Sequence, residues 1–182
     1  MTGCRQAGKT SACRGIVRLA ATRGWRVAGV LSPAIFRNGV KVGVETIDLH
    51  SGQSRPLASR RLSRHGGLLG YEFDDVALAW ANDVVASSYP CDLLIIDELG
   101  PLELEQGKGL VAAVEVLRGG CYRWAIVVVR PELVPVFKER LGRPCRVVDV
   151  GELFGSAAEA QSGGPTSPLE VCIFEKLFAP AS

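Results

Sequence analysis

Residues 3–10, with the sequence GCRQAGKT, combine residue types and a spacing suited to phosphate chemistry. They fit the pattern G-x-x-x-x-G-K-[ST], in which the glycines let the backbone fold into a concave loop with N–H groups directed at phosphate oxygens. A helix that starts at the end of this loop adds its positive dipole end. We predict that Lys9 reaches the β- and γ-phosphates and that the Thr10 hydroxyl binds Mg²⁺. The predicted nucleotide-contacting residues are Gly3, Cys4, Arg5, Gln6, Ala7, Gly8, Lys9, Thr10 and Ser11.

A second motif, Asp97-Glu98, ends the apolar run at residues 92–98. An aspartate at the end of a buried strand is typical of a Walker B site, where it holds Mg²⁺ opposite the loop hydroxyl. Glu98 is placed to activate the attacking water as a general base. A glycine-capped loop and a polar strand end are the alternatives for the two motifs taken singly. Their joint occurrence favours one phosphate site, with Asp97 and Thr10 as metal ligands and Glu98 and Lys9 as catalytic residues.

Two arginines are candidates for stabilising charge on a transferred phosphoryl group. Arg5 lies within the loop, and Arg130 directly follows the apolar run WAIVVV. The guanidinium group suits this role because it is permanently charged and donates in a fork. A surface position is the alternative for each. For Glu103 and Glu105, which follow the turn at residues 100–101, we favour the solvated surface.

The elements that must position these residues alternate between strands and helices. We predict helices at 8–23, 74–88, 107–118 and 132–141, and strands at 26–31, 92–98, 124–129 and 146–150. Short continuous apolar runs such as residues 92–96 are typical of strands buried on both faces of a parallel sheet. The alternation predicts an α/β fold whose sheet is mainly parallel and flanked by helices.

The region 31–58 has a different pattern. Asn38-Gly39 lies between β-prone runs and predicts a hairpin, and Ser51-Gly52 suggests a second turn. We interpret the region as a small antiparallel insertion. The basic segment 59–67 is interpreted as a solvated loop, with a phosphate-facing lid as the alternative. Residues 155–168 are rich in Ala, Ser, Gly and Pro and predict a linker, after which residues 169–178 dock as a helix or a strand. The predicted domain is 1–154, followed by a linker and tail at 155–182.

Composition limits the classes of function. The chain has 182 residues, 47% hydrophobic and 22% charged, which suits one soluble domain with a real core. A net charge of +2 gives no reason to expect nucleic acid or an anionic membrane as a partner, and no apolar run approaches the roughly 20 residues of a membrane span. The loop at Gly3 leaves no room for a signal peptide. Six cysteines without a C-x-x-C pair favour a reducing cytoplasm.

The phosphate loop begins after only Met1 and Thr2. Such a loop normally follows a central strand of about five apolar residues. We therefore expect the first strand to be missing from this sequence, through a misplaced start site or truncation. Residues 171–174 (VCIF) are β-prone and offer a substitute.

Further motifs occur in a recognisable order. They are GVLSP at 29–33, NGVKVG at 38–43, IDLHSG at 47–52, GYEF at 70–73 and DELGPLEL at 97–104. Together with the loop, over residues 2–150, this order resembles the small P-loop nucleoside-triphosphatase family, and the DELGPLEL block is its most specific part.

The resemblance implies a RecA-like sheet and Mg²⁺-dependent hydrolysis of nucleoside triphosphates to diphosphates, with broad base tolerance. It carries over phosphate and Mg²⁺ binding to Lys9 and Thr10, Mg²⁺ binding to Asp97, and catalysis to Glu98. Four positions depart from the family pattern, Gln6, Ala34, Val44 and Leu102. They bear on base preference and on a lid more than on phosphate binding. The alternatives are a small phosphotransferase and a nucleotide-binding regulator with little turnover.

Overall fold

The computed structural model describes residues 1–4, 7–62, 68–151 and 177–178. Its strands are β1 Val27–Leu31, β2 Ala34–Arg37, β3 Val40–Asp48, β4 Ser54–Leu62, β5 Leu68–Phe73, β6 Cys91–Leu99 and β7 Tyr122–Val129. Its helices are α1 Lys9–Thr22, α2 Asp75–Ala86, α3 Pro101–Leu104, α4 Ala112–Gly119 and α5 Val134–Leu141, with a 3-10 turn at Pro131–Leu133. The predicted linker and tail at 155–182 lie outside the described residues, apart from residues 177–178.

One sheet holds all of these strands, in the order β5-β4-β3-β1-β6-β7, with β2 paired to β3. The pairings of β6 with β1 and with β7 are parallel, and the other four pairings are antiparallel. The α/β class is confirmed, but the prediction of a mainly parallel sheet is wrong. The reason is that β3 pairs directly with β1, with Val30 opposite Asp48, so the antiparallel strands extend the main sheet.

The antiparallel strands extend further along the chain than the insertion that we interpreted at 31–58, because they continue through β4 and β5 to residue 73. The hairpin predicted at Asn38-Gly39 joins β2 and β3, and both turn residues have the positive φ that a tight hairpin needs, 49° and 75°. The basic segment beginning at residue 59, however, is not all loop. Its residues 59–62 belong to β4 and pair with β5, whereas 63–67 lie outside the described residues.

Two apolar clusters cover the two faces of the sheet. Side chains of β6 alternate between them as strand geometry requires, with Leu93 and Ile95 on the α1 side and Leu94 and Ile96 on the side of α2, α4 and α5. All four side chains are fully buried. Gly29 of β1, at φ 99°, lies opposite Ile95, and a Cβ there would come 2.0 Å from the Ile95 carbonyl oxygen. A side chain at position 29 would therefore push β1 and β6 apart.

The helices follow the predictions closely except after β6. Asp74 caps α2 by accepting a hydrogen bond from the Ala77 amide at 2.8 Å. The helix predicted at 107–118 begins only at Ala112, because Gly107 and Gly109 adopt positive φ, 62° and 74°. The short α3 at Pro101–Leu104 was not predicted. No helix among the described residues is long and apolar enough to cross a membrane.

The first two residues form a short ladder at the outer side of β7. The Met1 amino group donates to the Val127 carbonyl at 2.7 Å, and the Val129 amide donates to the Met1 carbonyl at 3.0 Å. On the other side, Thr2 exchanges hydrogen bonds with Val148 and Val150. The prediction of a strand at 146–150 is wrong, because within the described part of the chain the segment pairs with Thr2 alone and forms one parallel bridge, Thr2 with Asp149. Whether residues 171–174 substitute for a strand lies outside the described residues.

Candidate active site

The phosphate loop ends where α1 begins. Gly8 precedes the helix with φ 82° and accepts the Ala12 amide at 2.8 Å, a left-handed conformation that glycine tolerates without strain. No acidic residue lies in the first turn of α1, so the positive helix end is not neutralised there. The Lys9 ammonium donates to the carbonyls of Gly3, at 2.8 Å, and Cys4, at 2.7 Å. Lys9 is thus held against the backbone of Gly3 and Cys4.

The two predicted metal ligands meet at the carboxyl edge of the sheet. The Thr10 hydroxyl at the start of α1 lies close enough to the carboxylate of Asp97, near the end of β6, to favour the ionised form and so to lower the pKa of Asp97. The Ser32 amide, which directly follows β1, donates to Asp97 Oδ2 at 3.1 Å. Asp97 is only 3% exposed. Burial raises the pKa of its carboxyl above the ordinary value, while the hydrogen bonds from Ser32 and Thr10 oppose that shift.

Glu98 and Arg130 form an ion pair across two neighbouring strand ends. Arg130 Nε donates to Glu98 Oε1 at 2.7 Å. Both side chains are partly exposed, 43% for Glu98 and 34% for Arg130. The backbone of Glu98 has φ 91°, which is rare for a residue with a side chain. The predicted catalytic carboxylate and the predicted arginine are therefore brought together, in contact with each other.

The remaining residues singled out in the sequence are the other members of the phosphate loop, together with Glu103 and Glu105. Arg5 and Gln6 lie outside the described residues, so their roles stay predictions. Cys4 is exposed at the loop surface, Ala7 is half-buried, and Ser11 is exposed in the first turn of α1. The placement of Glu103 on the solvated surface is wrong. Its two carboxylate oxygens accept the amides of Gly100, at 2.8 Å, and Leu110, at 3.0 Å. Glu105 is exposed, as predicted.

Sequence reasoning missed two residues that support the site. Ser32 contributes its backbone amide to Asp97. Its position just after β1, in the motif GVLSP, was the available signal. Asn82 of α2 donates to the Gly109 carbonyl at 3.0 Å and accepts the Ala112 amide at 2.9 Å. With Glu103 it ties down the loop that follows Asp97 and Glu98. No sequence pattern pointed to Asn82, because its partners lie 27 and 30 residues away.

The oxygen ligands at this edge suit Mg²⁺. The ion prefers hard oxygen ligands and is commonly held by one or two protein oxygens together with substrate phosphates and water. The Thr10 hydroxyl lies near the Asp97 carboxylate, and the carboxylate is buried. A buried carboxylate beside a hydroxyl is a fitting pair of ligands for a small hard cation.

Comparison with known proteins decides the family. A family model described as NTPase matches residues 1–152. The chain belongs to the NTPase family. This confirms the resemblance seen in the sequence motifs, and as an NTPase the chain is a nucleotide-hydrolysing enzyme by class.

Curated relatives of this NTPase carry the name nucleoside-triphosphatase THEP1. The protein of Thermococcus kodakarensis is 29% identical over 125 residues, which cover 65% of this chain and 68% of the relative. The protein of Methanopyrus kandleri is 31% identical, and the match covers 58% of each chain. The protein of Archaeoglobus fulgidus is 34% identical, with 65% of this chain and 69% of the relative covered.

A solved structure shares the fold of this NTPase. The solution structure of a human cancer-related nucleoside triphosphatase aligns with a TM-score of 0.57 at 23% identity, covering 76% of this chain and 82% of that chain. The likeness concerns the fold alone.

Proposed function

We propose that this NTPase catalyses the Mg²⁺-dependent hydrolysis of nucleoside triphosphates, ATP and GTP among them, to the diphosphate and inorganic phosphate. The observation that carries the proposal is the placement of the Thr10 hydroxyl beside the Asp97 carboxylate, which is buried and accepts the Ser32 amide. It joins the end of the phosphate loop to the end of β6, as a shared metal site between two motifs requires.

The phosphate-binding part of the mechanism belongs to the loop and to α1. Loop amides and the start of the helix provide positive charge for an anion. Lys9 leaves the carbonyls of Gly3 and Cys4 and places its ammonium against the β- and γ-phosphates. Thr10 and Asp97 would hold Mg²⁺, which when bound neutralises charge on the phosphate oxygens.

The hydrolytic part belongs to Glu98. Its carboxylate takes a proton from a water molecule as the water oxygen bonds to the γ-phosphorus. The bond between that phosphorus and the β,γ-bridging oxygen breaks, and the nucleoside diphosphate leaves with the bonding electrons. The products are inorganic phosphate and the diphosphate. Glu98 suits this step because it lies next to Asp97 but is exposed, whereas Asp97 is buried.

Substrate range and setting form part of the proposal. We expect several nucleoside triphosphates to be accepted, since the contacts that we propose are all to phosphate or metal and none is to a base. The free cysteines among the described residues, at positions 4, 13, 91, 121 and 145, suit a reducing cytoplasm.

The experiment measures phosphate release from ATP, GTP, CTP and UTP, with and without Mg²⁺ and with EDTA as the metal-free control. Expected are release that requires Mg²⁺ and rates within about tenfold of one another across the four nucleotides. Adding nucleosides or nucleoside monophosphates tests phosphotransfer in the same assay. Release only with an acceptor would replace the proposal with a phosphotransferase. Tight Mg-ATP binding without release would replace it with a nucleotide-binding regulator.

A further inference from the structure

The backbone at Arg130 is restricted by the residues that follow it. Arg130 follows β7 directly and begins the 3-10 turn Pro131–Leu133, in which the Leu133 amide donates to the Arg130 carbonyl at 3.0 Å. Proline at the next position restricts the backbone further. The guanidinium therefore projects from a rigid strand end, and its recorded hydrogen bond goes to Glu98.

The carboxylate of Glu98, by contrast, receives little direction from packing. The residues on either side, Asp97 and Leu99, are buried at 3% and 0% exposure, while the Glu98 side chain is 43% exposed. The pairing of β6 with β7 shifts register between Ile96 and Leu99, and φ of Glu98 is 91° within this irregularity. Among the described residues, Arg130 is the one recorded hydrogen-bonding partner of this carboxylate. Arg130 is thus what orients it.

We propose that Arg130 is a positioning residue that acts through Glu98. The inference rests on the proposed hydrolysis and differs from the sequence expectation of direct contact with the phosphoryl group. By donating to Oε1, Arg130 fixes the rotation of the carboxylate and leaves Oε2 to receive the proton of the attacking water. Catalysis depends on such orientation, since a general base must be within hydrogen-bonding reach of the proton that it removes.

A double-mutant cycle separates positioning from direct contact. The variants are Arg130→Ala, Glu98→Gln and the double substitution, assayed for single-turnover phosphate release from saturating Mg-ATP. Mg-ATP affinity is measured on the same proteins with a fluorescent ATP analogue. Arg140→Ala, an exposed arginine of α5, is the matched control and is expected to retain the parental rate. Thermal melts establish that each variant is folded.

If Arg130 positions Glu98, Arg130→Ala slows release about 10- to 100-fold while Mg-ATP affinity changes less than about twofold. In the Glu98→Gln background the same substitution then costs less than about twofold, because the carboxylate it orients is already gone. Arg130→Lys, which keeps a cationic donor, restores part of the rate, and Arg130→Gln restores less.

Two results would overturn the inference. One is an equal rate loss on Arg130→Ala in both backgrounds, which means that the guanidinium acts on the phosphoryl group itself. The other is a loss of affinity as large as the loss of rate. Failure of the proposed function is distinguishable, because the parental protein then releases no phosphate, and this inference falls with it. If Arg130→Ala does not fold, the Lys and Gln variants are tested in both backgrounds and decide between the same outcomes.

Discussion

The two halves of the site are anchored in different ways. Asp97 and Glu98 lie near the end of β6, a nine-residue strand paired on one side with β1 and on the other with β7. The residues before the phosphate loop, Met1 and Thr2, are held by hydrogen bonds to Val127, Val129, Val148 and Val150. The carboxylate half therefore lies on a central strand of the core, whereas the loop half is held by the packing of α1 on one side and by the backbone hydrogen bonds of Met1 and Thr2 on the other.

A cavity lies beside Met1 and Thr2, so the packing next to these residues is looser than the packing around β6. Its volume is about 480 Å³, and residues of β7 and residues 144–148 are among those that line it. Met1 and Thr2 are among its lining residues, and so are Trp124 and Val127 of β7. Around β6, by contrast, Leu and Ile side chains of the strand are fully buried and fill the space on both faces of the sheet. Chemistry at the carboxylate half can thus be altered with little structural effect, whereas the loop half also responds to changes in its anchoring.

The largest expected effect comes from removing the proposed base. Glu98→Gln keeps the size and the exposed position of the side chain but cannot take a proton from water. We expect turnover to fall about 10²- to 10⁴-fold with Mg-ATP binding retained. Steady-state phosphate release and fluorescence titration measure the two quantities. Glu105→Gln, at an exposed position after α3, is the control. Parental turnover in Glu98→Gln would remove Glu98 from the mechanism.

In the loop half, Lys9→Ala tests the phosphate contact. The β- and γ-phosphates lose a charged donor, an interaction of about 1.5–3 kcal/mol, so we expect Mg-ATP affinity to weaken about 10- to 100-fold. Calorimetric titration measures the affinity. Lys138→Ala in α5, which is exposed, should bind as the parent does. Unchanged affinity in Lys9→Ala would contradict the assignment of the loop.

The sequence predicts a site residue well when its role follows from its own motif, and poorly when its role depends on a contact with a residue far away along the chain. Lys9, Thr10, Asp97 and Glu98 could be named because each sits at a fixed offset within a local motif. Ser32 and Asn82 could not, since their contacts depend on which strands and helices become neighbours. The contact of Arg130 with Glu98 has the same origin. Its position after β7 was predictable, but its partner was not.

The fold shows the same limit. Apolar runs and turn residues located α1, β1, α2, β6 and β7, because these signals act within a few residues. The pairing of β3 with β1 was not predictable from local pattern, and it makes the sheet mainly antiparallel. The strand at 146–150 failed for a related reason. A strand needs a neighbour that pairs with it along its length, and among the described residues this segment pairs at one bridge, Thr2 with Asp149.

Extending the hydrogen bonds between the start of the chain and β7 should make the loop half of the site more stable. Fusing Val-Thr-Ile-Val-Val before Met1 would place an extended segment along β7, in the cavity. Val127 and Val129 direct their backbone groups toward Met1, and alternate residues earlier in β7 direct theirs the same way. The added segment can hydrogen-bond to these groups, and each such hydrogen bond contributes about 0.5–1.5 kcal/mol. Burial lowers the pKa of the Met1 amino group, and the fusion replaces that group with a peptide N–H.

The expected result of the fusion is a rise in Tm of about 5 °C and tighter Mg-ATP binding. Thermal melts with and without Mg-ATP provide the measurement. A Gly-Ser-Gly-Ser-Gly extension of the same length is the control and should change little, because it supplies no apolar side chains. Equal melting of the three proteins, with equal stabilisation by Mg-ATP, would show that the short ladder does not limit the loop half.

The smallest expected effect concerns the backbone at the end of β6. A side chain at φ 91° is disfavoured by about 1 kcal/mol, and glycine avoids that cost. We therefore expect Glu98→Gly to melt about 2–4 °C above Glu98→Ala. The same pair at Glu72, an exposed residue of β5 without positive φ, should show the opposite order, because glycine weakens a regular strand. Comparing two substitutions that both lack the carboxylate removes the ion pair with Arg130 from the measurement. If alanine is the more stable residue at both positions, the positive φ of Glu98 does not lower the stability of the protein. The two halves of the site then differ only in how they are anchored.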